Sequence, residues 1–190
     1  MPRPRRTRDP EETREKLVTA AEREFNTRGF FGTDTNRIAR QAGYAPQTFY
    51  RHFTDKTDIF LAVYERWWRG EGEAVVAAAR GLKGEARLAR IADTILEFHA
   101  RWRIFRRALR HLSADDKRVR AARVKARKAQ TESLKQVPRK KRLSEEELYA
   151  GLITIERLSD AAAEDEFADM GFSKRAARNA VIAALRATHQ

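Results

Sequence analysis

The chain has 190 residues, with 40 Lys and Arg against 27 Asp and Glu, for a formal charge of +13. A chain this long buries most of the surface it exposes when unfolded; its 42% hydrophobic content is too high for disorder, and the charge points to an anionic partner. Cysteine is absent, which excludes disulfides, cysteine zinc sites and thiol catalysis and suits a reducing cytoplasm. Apolar runs such as 74–79 reach only six residues, far too short to span a bilayer, and no apolar stretch follows the charged start to suggest a secretory signal.

Ala occurs almost twice as often as Ile and Val together, no stretch alternates with period two, and no Asn-Gly or Asp-Gly hairpin turn occurs. The expectation is an all-α fold of about nine helices. Asp9 as N-cap, Pro10 at N1 and Glu12 in a capping box open the first helix, which carries Leu17, Ala21 and Phe25 and stops at Gly29. A short helix from Thr33 turns Ile38 and Ala39 inward and ends at Gly43. A third runs from Pro46 to about Phe53, and a fourth starts near Asp55 with Ile59, Phe60, Val63, Tyr64 and Trp67 near one face. After Gly81 and Gly84 the stripe Leu88, Ile91, Ile95, Phe98 marks a fifth, followed by helices over about 104–112 and 115–137. Residues 138–142 form a loop, and Ser144 with Glu147 makes a second capping box. Leu148, Leu152, Ile155 and Leu158 line the next helix, Gly171 breaks the chain, and Ser173 caps a last helix carrying Ala177, Val181, Ala184 and Leu185.

The segment 33–53 carries the functional signal. A short helix, a glycine turn and a second short helix are the layout of a helix-turn-helix. Gly43 supplies the left-handed backbone of the turn. Phe49 and Phe53, four apart, face inward and leave Gln47, Thr48, Tyr50, Arg51 and His52 for a groove. Gln and Arg read base edges, while Thr, Tyr and His bond phosphates. On spacing alone, an ordinary helical hairpin with a polar outer face remains open.

The chain resembles the TetR-type transcriptional repressors. The resemblance rests on Ala20-Ala21 through Phe25, Gly29-Phe30, Thr33, Ile38-Ala39, Ala42-Gly43 and the string Thr48-Phe49-Tyr50-Arg51-His52-Phe53 followed by Lys56, and it covers about 13–64. It implies a basic disordered arm over 1–8, a DNA-binding domain over 9–56 and a helical effector-binding and dimerisation domain over 57–190. It also implies a third helix lying in the major groove of a palindromic operator, with Gln47, Thr48 and Arg51 on the bases and Tyr50 and His52 on phosphates. Thr33 then caps the second helix, Asn36 reaches the groove, Tyr44 stands with them at the turn, and Lys56 offers its charge to a phosphate. Two departures are visible: Ala45 stands where the family has a Ser or Thr N-cap, and Gln47 replaces a common glycine.

The remainder sets further expectations. Phe60, Tyr64, Trp67, Phe98, His99, Trp102 and Phe105 either pack as core or wall an effector cavity, the latter implied by the resemblance. Segment 101–142 carries a net +14, while 143–190 carries −4. That basic stretch is a solvated face, an extra nucleic-acid contact, or an attraction for an anionic amphipathic effector through Arg101, Arg103, Arg106, Arg107 and Arg110. Leu148, Leu152, Ile155 and Leu158, with Val181, Ala184 and Leu185, could pair with their mates in a four-helix homodimer interface. His99 and His111 are not at metal-ligand spacing, and no phosphate-cradling glycine loop, His-Glu-x-x-His or Gly-x-Ser-x-Gly occurs, so no metal, cofactor or enzyme activity is expected. The alternative reading is a helical RNA-binding or nucleoid-type protein using 101–142.

Overall fold

The computed structural model describes residues 9–137 and 142–189, and among them it contains ten helices and no strand. They are α1 (Pro10–Arg28), α2 (Thr35–Gln41), α3 (Pro46–Phe49), α4 (Lys56–Ala79), α5 (Gly84–Arg101), α6 (Arg103–Asp115), α7 (Lys117–Lys135), α8 (Glu145–Ala163), α9 (Glu166–Asp169) and α10 (Lys174–His189). The tenth is α9, a single turn entered through the left-handed Asp165. The basic arm over 1–8, and most of the loop expected at 138–142, lie outside the described residues.

The chain divides into two compact units, one up to Arg66 and one from Trp67 onward. In the first, Leu17, Ala21 and Phe25 of α1 are fully buried with Ile38, Ala39, Phe49, Ile59 and Phe60. Phe25, Phe30 and Phe60 meet with centroids 5.2–5.9 Å apart. Aromatic pairs at such separations add about 0.5–1.5 kcal/mol beyond their burial. Asp9 caps α1 by accepting from the Glu11 amide, while Glu12 pairs with Lys16. On the outer side Arg66 of α4 donates to Thr19 and is paired with Glu15 and Glu22 of α1.

In the second unit, Leu88, Ile91 and Ala92 of α5 pack with Ile155 of α8 and with Val181, Ile182 and Leu185 of α10. Gly151 lies so close to Thr188 that a Cβ there would overlap its methyl group, which lets α8 and α10 approach closely. Two forked ion pairs, Arg178 with Asp93 and Arg186 with Glu85, tie α10 to α5. The capping box of α8 forms in full: the Glu147 amide donates to Ser144 Oγ and the Ser144 amide to the Glu147 carboxylate.

Candidate nucleic-acid interface

The glycine turn forms for a clear reason. Gly43 takes φ +80, so the amides of Gly43 and Tyr44 reach back to the carbonyls of Arg40 and Ala39 at 3.0 and 2.9 Å. Those two bonds are the Schellman closure that satisfies the end of α2. The third helix then starts at Pro46 behind Ala45, which offers no side-chain cap. It stays regular only to Phe49, and 3.0 Å amide bonds from His52 and Phe53 back to Phe49 continue the coil by one turn. Phe49 and Phe53 are buried, with centroids 5.7 Å apart. Gln47, Tyr50 and Arg51 are exposed, and Thr48 and His52 are half-buried. On α2, Asn36, Arg37 and Arg40 are exposed as well. The Tyr50 hydroxyl lies 2.9 Å from Thr35 Oγ1, which locks the end of α3 to the start of α2. Tyr44 is half-buried in the turn.

Two of the expected residues hold this unit together. Thr33 does not cap α2. Asp34 does, accepting from the Arg37 amide at 2.8 Å, while the buried Thr33 hydroxyl donates to buried Glu24 at 2.9 Å. Nor does Lys56 present its charge outward. Its Nζ donates to the carbonyls of Phe30 and Thr33 at 2.8 and 2.9 Å and sits 4.3 Å from the Phe30 ring centre. Burial pushes the Lys56 ammonium below its usual range, with partial compensation from the charge of Asp34. Lys56 therefore pins the turn between α1 and α2. Glu24 was not read from the sequence, although it lies four residues after buried Ala20 and so on the same face of α1.

The aromatic residues expected to wall a cavity are mostly core. Phe60 and Tyr64 are buried in the first unit, and Trp67, Trp102 and Phe105 in the second, while Phe98 is half-buried. His99 is buried between two carboxylates, with Nδ1 2.9 Å from Asp160 and Nε2 3.2 Å from Glu71. The same Asp160 accepts from Arg106 at 2.6 and 3.0 Å and pairs with Arg110 at 2.7 Å. Glu156, one turn earlier, accepts from Arg106, Arg123 and Arg127 at 2.7–2.9 Å, and Arg110 also reaches Glu164. Arg106 stacks over Trp67 at 4.5 Å. Burial opposes its charge, but Asp160, Glu156 and Glu71 outweigh that and raise its pKa. Arg106 and Arg110 are thus matched by acids of the same chain, so they do not form a cationic mouth for an anionic ligand. Among the described residues, no group of three or more His, Asp or Glu is arranged to hold a metal ion, and no helix is long and apolar enough to cross a membrane.

The expected dimer stripe divides in two. Leu148, Ile155, Val181 and Leu185 are buried within their own chain. Leu152, Leu158 and Ala184 are half-buried, and Tyr149 beside them is exposed.

Residues 17–63 match the family model described as bacterial regulatory proteins, tetR family. A helix-turn-helix transcriptional regulator of Staphylococcus aureus (strain USA300) is 36% identical over 59 residues, 31% of this chain and 32% of that protein. The match therefore spans about a third of the curated relatives' length. Among solved structures, a TetR-family transcriptional regulator from Rhodococcus sp. superposes with TM-score 0.73 at 16% identity, over 95% of this chain and 100% of that one. A transcriptional regulator from Saccharomonospora viridis, in complex with choline, gives 0.69 at 18% identity over 93% and 96%. At such identities the likeness is one of fold, and it extends over nearly the whole chain.

Proposed function

We propose that this member of the TetR-type helix-turn-helix family is a sequence-specific transcriptional regulator, acting as a repressor that a small hydrophobic or amphipathic ligand releases from DNA. The observation that supports this best is the side of α3 turned away from Phe49 and Phe53. It presents Gln47, Tyr50 and Arg51 to solvent beside exposed Asn36, Arg37 and Arg40 of α2. Arg and Gln supply forked donors and acceptors matched to base edges in the major groove. Thr48, His52 and Tyr50 are suited to sugar–phosphate oxygens, and the Tyr50–Thr35 hydrogen bond holds that hydroxyl in place. Thr33, Glu24 and Lys56 serve the interface indirectly by fixing the turn that carries α2.

A homodimer would place two copies of α3 in successive major grooves, roughly 34 Å apart, and so read a palindrome. Its interface would use the half-buried Leu152, Leu158 and Ala184 with exposed Tyr149, because Leu148, Ile155, Val181 and Leu185 are buried within the chain. The effector would bind in the unit from Trp67 onward, near Phe98 and Trp102. It acts only through a difference in affinity between DNA-competent and DNA-incompetent states. Such a protein works in the cytoplasm, where the chromosome is.

The test is selection of a binding site from random duplexes, followed by titration of base-substituted sites. Arg51→Ala or Gln47→Ala should cost about 1–3 kcal/mol and relax preference at one base position. Equal losses on every sequence, selected or random, would refute the assignment of base-reading roles.

A further inference from the structure

Helix α7 sorts its cations by face. On the inner side Val119 and Ala126 are buried, and Arg123 and Arg127 on that side are matched by Glu156. On the outer side Lys117, Arg120, Ala121, Val124, Lys125 and Lys128 line one shallow, open groove, and all six are exposed. Their spacings alternate between three and one, so they form a straight stripe along about three helical turns, roughly 16 Å at 1.5 Å per residue. No acid interrupts it; the first carboxylate further along α7 is Glu132. Lys117, Lys125 and Lys128 enter no ion pair among the described residues. Arg120 is held in place by donating to the carbonyls of Ser113 and Ala114 at 3.0 and 2.7 Å, which anchors the guanidinium without cancelling its charge.

An ordinary solvated helix face intersperses both signs, with acid–base pairs four residues apart. The outer face of α7 repeats one sign at each turn on a rigid rod. Such a row complements a polymer with a regular negative charge. The bilayer surface is the weaker match, because a membrane-lying helix needs large apolar or aromatic side chains on its other face, and the stripe offers only Ala121 and Val124. Single-stranded RNA is weaker too, since no aromatic side chain lies on the stripe to stack a base. We propose that the outer face of α7 is a second, sequence-independent contact for the phosphates of double-stranded DNA, distinct from the α3 surface. It belongs to the other compact unit and needs no particular operator, so it would hold the protein on any duplex.

The experiment uses the full chain carrying Lys117→Gln, Lys125→Gln and Lys128→Gln together. These positions are exposed, and unchanged circular dichroism and melting confirm that the variant folds. Affinity for a random duplex of thirty base pairs is measured by fluorescence anisotropy from 50 to 300 mM salt. Each lost phosphate contact should reduce the slope of log affinity against log salt by about 0.9. The expected result is therefore a shallower slope by about 2 to 3 and a loss of at least tenfold in affinity at 100 mM salt. The matching triple Lys→Arg variant should retain the wild-type slope. The same loss should appear when the triple Gln change is made in an Arg51→Ala background, which separates this contact from the α3 reading. A slope unchanged within 0.5 would overturn the proposal. So would a triple Gln variant that loses only its binding to vesicles of one part phosphatidylglycerol to three parts phosphatidylcholine, with DNA binding intact.

Discussion

Asp160 is the side chain on which the second unit's internal charges converge, and Asp160→Asn is the substitution that tests this. The carboxylate is 5% exposed, accepts from His99 and from two nitrogens of Arg106 at 2.6 to 3.0 Å, and is ion-paired with Arg110 at 2.7 Å. Burial alone would raise its pKa, yet the hydrogen bonds from His99 and Arg106 and the charge of Arg106 hold it well below the usual carboxylate range. Asparagine keeps the shape but removes the charge and one acceptor. Arg106, 3% exposed, is then left with Glu156 as its main counter-charge. Removing one partner of a buried ion pair costs about 3–5 kcal/mol, because the other charge stays desolvated. For a unit of this size each kcal/mol shifts the melting temperature by about 4 °C, so a fall of roughly 10–20 °C is expected by circular dichroism. Urea titration should show the same loss at unchanged slope. Replacing both partners with apolar side chains, Asp160→Leu with Arg106→Met, should recover a large part of that stability, since apolar replacement of buried pairs is often close to neutral. A single Asp160→Asn variant destabilised by less than about 1 kcal/mol would refute the reasoning, since a paired buried charge cannot be that cheap to orphan.

Three further outcomes are expected. Burial would raise the Glu156 pKa, but the charges of Arg106, Arg123 and Arg127 bring it down to about 2; a depressed carboxylate stabilises the fold above its unfolded pKa and loses that contribution as pH falls. The stability gap between wild type and Glu156→Gln in urea should therefore be full at pH 6 and shrink between about pH 4.5 and pH 2, and a gap independent of pH would count against the pairing. Lys56→Met removes two donors to buried carbonyls, so it should cost about 1–3 kcal/mol and speed amide exchange at residues 29–34, with DNA affinity falling on specific and random sequences alike. Ala45→Ser supplies the absent cap of α3 and should add about 1 kcal/mol, read from the melting temperature.

Much of the fold was legible because its boundaries are local. Asp9 with Pro10, Gly43, Ser144 with Glu147 and Gly171 each act within a few residues, and each marks the helix boundary expected of it. The exception at the start of α2 is instructive. Thr33 and Asp34 are adjacent, and both are good cap residues. What separates them is Glu24, nine residues earlier, which takes the Thr33 hydroxyl into the interior and leaves Asp34 to cap. The carbonyl contacts of Lys56 are hidden from local reading for the same reason, because their acceptors stand 23 and 26 residues before it. The exposed edge of α3 was easier. Two phenylalanines four apart fix the inner side, which turns Tyr50 and Arg51 outward and leaves His52 half-buried beside them.

The basic segment was the harder part, because a charge count along the chain cannot say which side of a helix carries each charge. The count did hold a clue: +14 over 101–142 is followed by −4 over the rest, and helices of opposite sign in one bundle attract. The remaining step is helical register. Arg106 and Arg110 are four apart on the side of Leu109, and Arg123 lies four after Val119 and three before Ala126, so the apolar positions turn these arginines toward α8. Glu156, Asp160 and Glu164 also stand four apart, a row of acids on one side of α8 and at its end that meets them. The same register turns Lys117, Lys125 and Lys128 the other way, where they enter no ion pair among the described residues. The excess positive charge of the protein thus resides in part on this exposed face, which is where the proposed contact with duplex phosphates would meet it.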